Sequence, residues 1–91
     1  MSFSDFFKGK IVLVTGHTGF KGAWLSIWLN EMGAKVIGYS LEPPYANSLF
    51  ENAKLKDKLI DIRSDIRDLK KLETIFKKYK PEIIFHLAAQ P

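Results

Sequence analysis

The chain has 91 residues, of which 46% are apolar and 26% charged, with a formal net charge of +4 and no cysteine. This suffices for one small globular domain burying roughly 60–65% of the surface its unfolded chain exposes, and it is not the composition of a disordered segment. The missing cysteines exclude disulfides, a zinc–thiolate site and a cysteine nucleophile, and they allow a reducing, cytoplasmic setting.

Residues 1–8, Met-Ser-Phe-Ser-Asp-Phe-Phe-Lys, carry an acid among apolar residues and no basic start, so they do not read as a signal peptide. No apolar run approaches the ~20 residues a bilayer-spanning helix needs, so no membrane partner is expected. Residues 3–9 read as a lead-in with a short helical turn that packs its phenylalanines on the domain. Residues 10–15 read as strand one, apolar without alternation, as expected when both faces are covered.

The next residues, Thr15-Gly16-His17-Thr18-Gly19-Phe20-Lys21-Gly22, form a glycine turn between that strand and a helix. Strand, glycine turn and helix in this order point to dinucleotide binding rather than to ordinary turn glycines. Gly16 suits a tight turn, Gly19 leaves room for phosphates beside the helix N-terminus, and Gly22 lets helix and strand pack closely. His17 is placed to touch phosphate or ribose, and Lys21 puts a cation at the helix entrance beside the pyrophosphate path. The first two glycines lie three apart, a spacing that resembles the short-chain dehydrogenase/reductase superfamily.

Residues 19–32 read as helix one. Phe20, Ala23, Trp24, Ile27 and Trp28 share one stripe, which Leu25, Leu29 and Met32 widen, so burial on more than one side is expected. Trp24 and Trp28, one turn apart, read as helix–sheet core in preference to a base-stacking platform. Gly33 is a helix stop.

Residues 35–39 read as strand two, whose end selects the cofactor. A carboxylate there bonds the adenosine ribose hydroxyls of NAD and repels a 2′-phosphate, whereas an arginine welcomes NADP. The position where related dehydrogenases often carry the acid is Ser40; Glu42 follows as the chain turns into Pro43-Pro44, and no arginine is near in sequence. Ser40 can bond a ribose hydroxyl without repelling phosphate, so these residues leave NAD against NADP open, with a lean to NAD.

Asn47 or Ser48 can cap a short helix over residues 49–55. Residues 58–64 contain strand three, with Leu59, Ile60 and Ile62 as its apolar members. Asp65 or Asp68 caps a helix that runs to about residue 80, with lysines in its last turn. Pro81 ends it, and residues 82–87 form strand four. Five lysines between Lys70 and Lys80 alternate with Leu72, Ile75, Phe76 and Tyr79. They read as the solvated face of an amphipathic helix, and no nucleic-acid partner is expected.

The alternation predicts an α/β fold, β-α-β-α-β-α-β, with a parallel sheet ordered 3-2-1-4: a single partial NAD-binding domain over residues 1–91, slightly more than half of a Rossmann-type fold. At the carboxyl edge, Asp65 can accept a bond from an adenine amino group with Ile66 against the ring, or it can serve as a helix cap. Leu87-Ala88-Ala89-Gln90 ends strand four with small residues that let a dinucleotide lie across the strand ends, or that simply pack. His86 reads as a packed or hydrogen-bonded histidine rather than a base. Two histidines with no carboxylate spaced to join them make no metal site.

Taken together, residues 15–25 (Thr-Gly-His-Thr-Gly-Phe-Lys-Gly-Ala-Trp-Leu), Pro43-Pro44, Ser48-Leu49-Phe50-Glu51, Asp65-Ile66-Arg67-Asp68 and residues 81–91 (Pro-Glu-Ile-Ile-Phe-His-Leu-Ala-Ala-Gln-Pro) resemble the CDP-glucose 4,6-dehydratases of the extended short-chain dehydrogenase/reductase superfamily. The resemblance implies tightly held NAD lined by Gly16, His17, Thr18, Gly19, Phe20, Lys21, Ser40, Asp65, Ile66, Leu87, Ala88, Ala89 and Gln90. It implies conversion of CDP-glucose to CDP-4-keto-6-deoxyglucose, a precursor of surface polysaccharide sugars, by a homo-oligomeric parent enzyme. That family is several times longer, and its Tyr-x-x-x-Lys motif has no fitting counterpart here, since Tyr79 falls in the wrong element. The chain is therefore expected to be an N-terminal piece without the nucleotide-sugar domain and without catalytic residues. Two alternatives stand beside this: a non-catalytic dinucleotide-binding module, or a segment of another sugar-nucleotide epimerase or dehydratase.

Overall fold

β1 (Ile11–Thr15) is the organising strand of this computed structural model, which describes residues 3–41 and 59–87. The stretch around Pro43-Pro44 and the helix expected over residues 49–55 lie outside the described residues, as do Ala88, Ala89 and Gln90. β1 pairs in parallel with β2 (Lys35–Ser40) on one side and with β4 (Ile83–His86) on the other; β2 pairs in parallel with β3 (Ile60–Arg63). The sheet order is β3-β2-β1-β4, the expected 3-2-1-4. Three helices accompany it among the described residues: α1 (Phe3–Phe7), α2 (Phe20–Glu31) and α3 (Leu69–Tyr79).

The unbroken apolar run of β1 follows from its position. Val12 and Val14 pack with Phe7, Leu29, Met32, Ala34 and Val36 on the face covered by α1 and α2. Leu13 packs with Ile37, Tyr39 and Ile75 on the opposite face, covered by α3. Successive strand residues point to opposite faces, so a strand covered on both sides is apolar throughout. β4 lies at the sheet edge with Ile84 49% exposed.

α2 differs from the expected packing. Its buried positions are Gly22, Ala23, Ser26, Leu29 and Met32, while Trp24 and Trp28 are 54% and 57% exposed. The tryptophans are therefore not helix–sheet core. The helix lies too close to the sheet for them: a Cβ on Gly22 would overlap the Gly16 carbonyl oxygen and sit 2.7 Å from Gly16 C and 2.9 Å from His17 Cα. Only small residues fit the N-terminal half of that face, and the indoles turn outward onto a groove of about 340 Å³ lined with Ile27 and Glu31. The helix closes as predicted at Gly33, whose φ is +83°, with Gly33 N–H donating to Asn30 O and Ala34 N–H to Leu29 O. These are the paired bonds of a Schellman stop.

α3 is capped by Asp68, which accepts from Lys71 N–H at 3.1 Å. It presses Leu72, Ile75, Phe76 and Tyr79 toward the sheet and leaves Lys70, Lys71, Lys77 and Lys78 exposed. Burying Ile75 contributes about 1.5–3 kcal/mol. Lys80 closes the helix in the left-handed region, φ 50°, donating its N–H to Phe76 O before Pro81.

Candidate cofactor-binding site

The carboxyl ends of β1, β2 and β3 meet the glycine turn, and a ligand of such a sheet binds at this edge. Gly16 has φ +83°, a conformation costly for any residue with a Cβ, and its N–H donates to Tyr39 O while its carbonyl accepts from Gly19 N–H at 3.1 Å. Gly19 caps α2 in an extended conformation, and no side chain caps the helix. The first-turn N–H groups of α2 are thus presented to an anion, and the helix dipole favours one there. A Cβ on Gly19 would find only ordinary contact, 3.5 Å from Gly16 O. The demand for glycine within the fold is therefore strict at Gly16 and Gly22, whereas at Gly19 the open space is what a pyrophosphate requires. These residues fit a dinucleotide. Lys21 is exposed at the entrance.

His17 does not reach into that opening. Its side chain is fully buried and lies over Gly38, where a Cβ would overlap the imidazole. The ring crosses β2 and its Nε2–H donates to Asp61 Oδ1 at 2.6 Å; the tautomer follows because the carboxylate can only accept. Asp61 also accepts from Arg63 Nε at 2.8 Å. Burial pushes the His17 pKa down, outweighing the opposite pull of Asp61. Burial works to raise Asp61, but the bonds from Arg63 and His17 prevail and hold its carboxyl below the ordinary carboxylate value. The pair is thus neutral imidazole donating to carboxylate. This network was not visible in the sequence because its partners are far apart along the chain; a glycine in mid-strand at Gly38 was the one signal.

At the end of β2, Thr18 Oγ1 donates to Leu41 O at 2.9 Å and lies 2.9 Å from Ser40 Oγ. Thr18 has one proton, so Ser40 donates to Thr18 and keeps its lone pairs as acceptors. The absence of an arginine near Ser40 holds along the chain but not in space: Arg63 is the register partner of Ser40 across β2 and β3. Tyr39, fully buried, donates its hydroxyl to Asp65 O at 3.0 Å, tying the β3–α3 turn to β2. The Asp65 carboxylate accepts from Arg67 N–H at 2.8 Å and from its guanidinium at 2.6 Å, which lowers its pKa to about 2. Asp68 rather than Asp65 caps α3, while Ile66 packs among the residues facing α3. Thr15 Oγ1 bonds His86 Nδ1 at 2.7 Å, so His86 is a hydrogen-bonded histidine, and Leu87 N–H donates to Thr15 O at 2.9 Å.

Among the described residues no helix is long and apolar enough to cross a membrane, and no group of His, Asp and Glu is placed to hold a metal ion.

Comparison with known proteins agrees with this geometry. The chain is 56% identical over 87 residues to the CDP-glucose 4,6-dehydratase of Salmonella typhimurium, a match covering 96% of this chain and 24% of that protein. It is 40% identical over 79 residues to the UDP-glucose 4-epimerase of Mycolicibacterium smegmatis, covering 86% of this chain and 25% of that protein. The structure of epimerase Mth375 from Methanothermobacter thermautotrophicus superposes with a TM-score of 0.77 at 33% identity, over 96% of this chain and 25% of that one. The chain thus spans about a quarter of the length of these relatives. The family model for GDP-mannose 4,6 dehydratase matches residues 13–91. With the parallel 3-2-1-4 sheet and the glycine turn at its carboxyl edge, the chain belongs to the GDP-mannose 4,6 dehydratase family, on a Rossmann-type fold.

Proposed function

We propose that this chain is the NAD-holding part of a nucleotide-sugar dehydratase that converts CDP-glucose to CDP-4-keto-6-deoxyglucose. The observation that carries the substrate is the 56% identity to a CDP-glucose 4,6-dehydratase along almost the whole chain. The observation that supports the cofactor is the uncapped N-terminus of α2 beside a glycine turn at the carboxyl edge of the sheet.

NAD held here would supply the hydride acceptance and return that a 4,6-dehydration requires. The residues of this chain bind and orient. The α2 N-terminus and Lys21 face the pyrophosphate, Ser40 accepts from the ribose, and Asp65 and Ile66 border the adenine. Leu87, just past the end of β4, adjoins the dinucleotide where it crosses the strand ends. His17 contributes through its backbone, since its imidazole is committed to Asp61. None of these groups is an acid or base for the sugar.

Calorimetric titration of this chain with NAD, with mass spectrometry of CDP-glucose incubated with the whole dehydratase of which it is the NAD-holding part, tests both halves. Saturable NAD binding supports the cofactor role, and loss of one water from CDP-glucose supports the dehydratase. Binding without turnover favours a dinucleotide-binding module. The 40% identity to a UDP-glucose 4-epimerase favours a second reading, and epimerisation of UDP-glucose at C4 with no dehydration would establish it.

A further inference from the structure

On the dinucleotide reading above, we propose that Asp61 and Arg63 of β3 together set the discrimination between a 2′-hydroxyl and a 2′-phosphate on the adenosine ribose. That task falls to a residue at the end of β2 in other sheets of this kind. Here that residue is Ser40, which carries no charge and whose proton is spent on Thr18. Ser40 therefore supplies no charge to discriminate the two riboses.

β3 supplies it. Arg63 is the register partner of Ser40 and Asp61 that of Gly38, so these four positions share one face of the sheet, with Arg63 one strand spacing, roughly 5 Å, from Ser40. Gly38 has no side chain, and the imidazole of His17 fills that space and reaches Asp61. The Asp61 carboxylate, only 15% exposed, holds Arg63 by its Nε and offsets its charge. The corner is therefore charge-balanced, with Arg63 in register beside Ser40 and its partner Asp61 two residues earlier on β3. A 2′-phosphate arriving beside Ser40 is drawn by the one and repelled by the other. The lowered pKa of Asp61 means that both charges are present at neutral pH.

The two residues act with opposite sign, which makes the assignment testable by the affinity ratio of NADP to NAD, measured by calorimetry on the protein and its variants. Asp61→Asn keeps an oxygen to accept from His17 and Arg63 while deleting the negative charge, so the ratio rises about tenfold, the effect of one unit charge across partly screened protein. Arg63→Gln leaves the carboxylate unbalanced, and the ratio falls by about the same factor. The double variant returns close to the starting ratio. A ratio that stays unchanged in both single variants, or moves the same way in both, overturns the assignment. So does a loss of affinity for both dinucleotides in parallel, which would mark the pair as purely structural. Failure of the unaltered protein to bind NAD at all is a different result and overturns the cofactor reading itself.

Discussion

Gly38→Ala puts the geometry of the site under direct test. The added Cβ would overlap Cγ and Cδ2 of His17 and lie 2.7 Å from its Nδ1, whereas comfortable contact needs roughly 3.5–4.0 Å. The imidazole must retreat by about 1 Å, and a bond now 2.6 Å long to Asp61 then passes beyond hydrogen-bonding range. Overpacking costs about 1–3 kcal/mol, and a lost hydrogen bond to a charged group about 1.5–3 kcal/mol. Restricting the unfolded chain returns about 0.4–1 kcal/mol. The net destabilisation is about 1.5–5.5 kcal/mol, enough to lower Tm by roughly 6 °C or more in a domain of this size. Urea and thermal unfolding measure it. In a His17→Ala background the three nearest atoms are gone, and the same substitution costs less than about 1 kcal/mol, so the double-mutant cycle shows a coupling of at least ~0.5 kcal/mol. The reasoning fails if Gly38→Ala is neutral, or if it costs as much without the imidazole as with it.

Other expectations follow from single contacts. Gly22→Ala meets backbone of the Gly16 turn rather than a side chain that can yield; it should cost about 3 kcal/mol or more and weaken NAD binding, both readable from unfolding curves and calorimetry. Asp68→Ala removes the cap of α3 and should cost about 1 kcal/mol, with the loss visible in helical circular dichroism on heating. His17 is held neutral by burial, so the unfolded state binds its proton more readily than the folded state. Stability contributed by this group is complete above pH 6.5 and falls as the pH drops below that value; a urea midpoint unchanged between pH 7.5 and 5 would contradict it. Tyr39→Phe removes one of two hydrogen bonds to the Asp65 carbonyl, which keeps that from Asp68 N–H, and should cost about 1 kcal/mol while weakening dinucleotide binding if the turn it anchors borders the adenine.

The order of elements and the sheet topology were legible along the chain because they rest on local signals. The apolar runs of β1 and β2, the positive-φ glycines at Gly16 and Gly33, and the 3.6-residue periodicity of α3 each report their own backbone. Helix crossovers between parallel strands then leave few ways to arrange the sheet. Composition misled at α2, where an almost wholly apolar helix suggested burial all round. What decides which face is buried is the distance of closest approach, and Gly22, Ala23 and Ser26 allow a closer approach than any stripe containing tryptophan.

The tight glycine turn and the helix start after it were legible in the sequence, because both are properties of neighbouring residues. The charges around it were not. His17, Gly38, Asp61 and Arg63 come from a loop and two strands, and a side chain's partner across a sheet is set by strand register, which no local window contains. Tertiary structure alone turned His17 away from the cofactor path and onto Asp61, and it alone placed Arg63 beside Ser40. The sequence by itself determined that a glycine turn and a helix start meet at the carboxyl edge of a parallel sheet; the packing of the sheet decided which charges stand at that edge, because electrostatic neighbours are defined by ångströms and not by residue number.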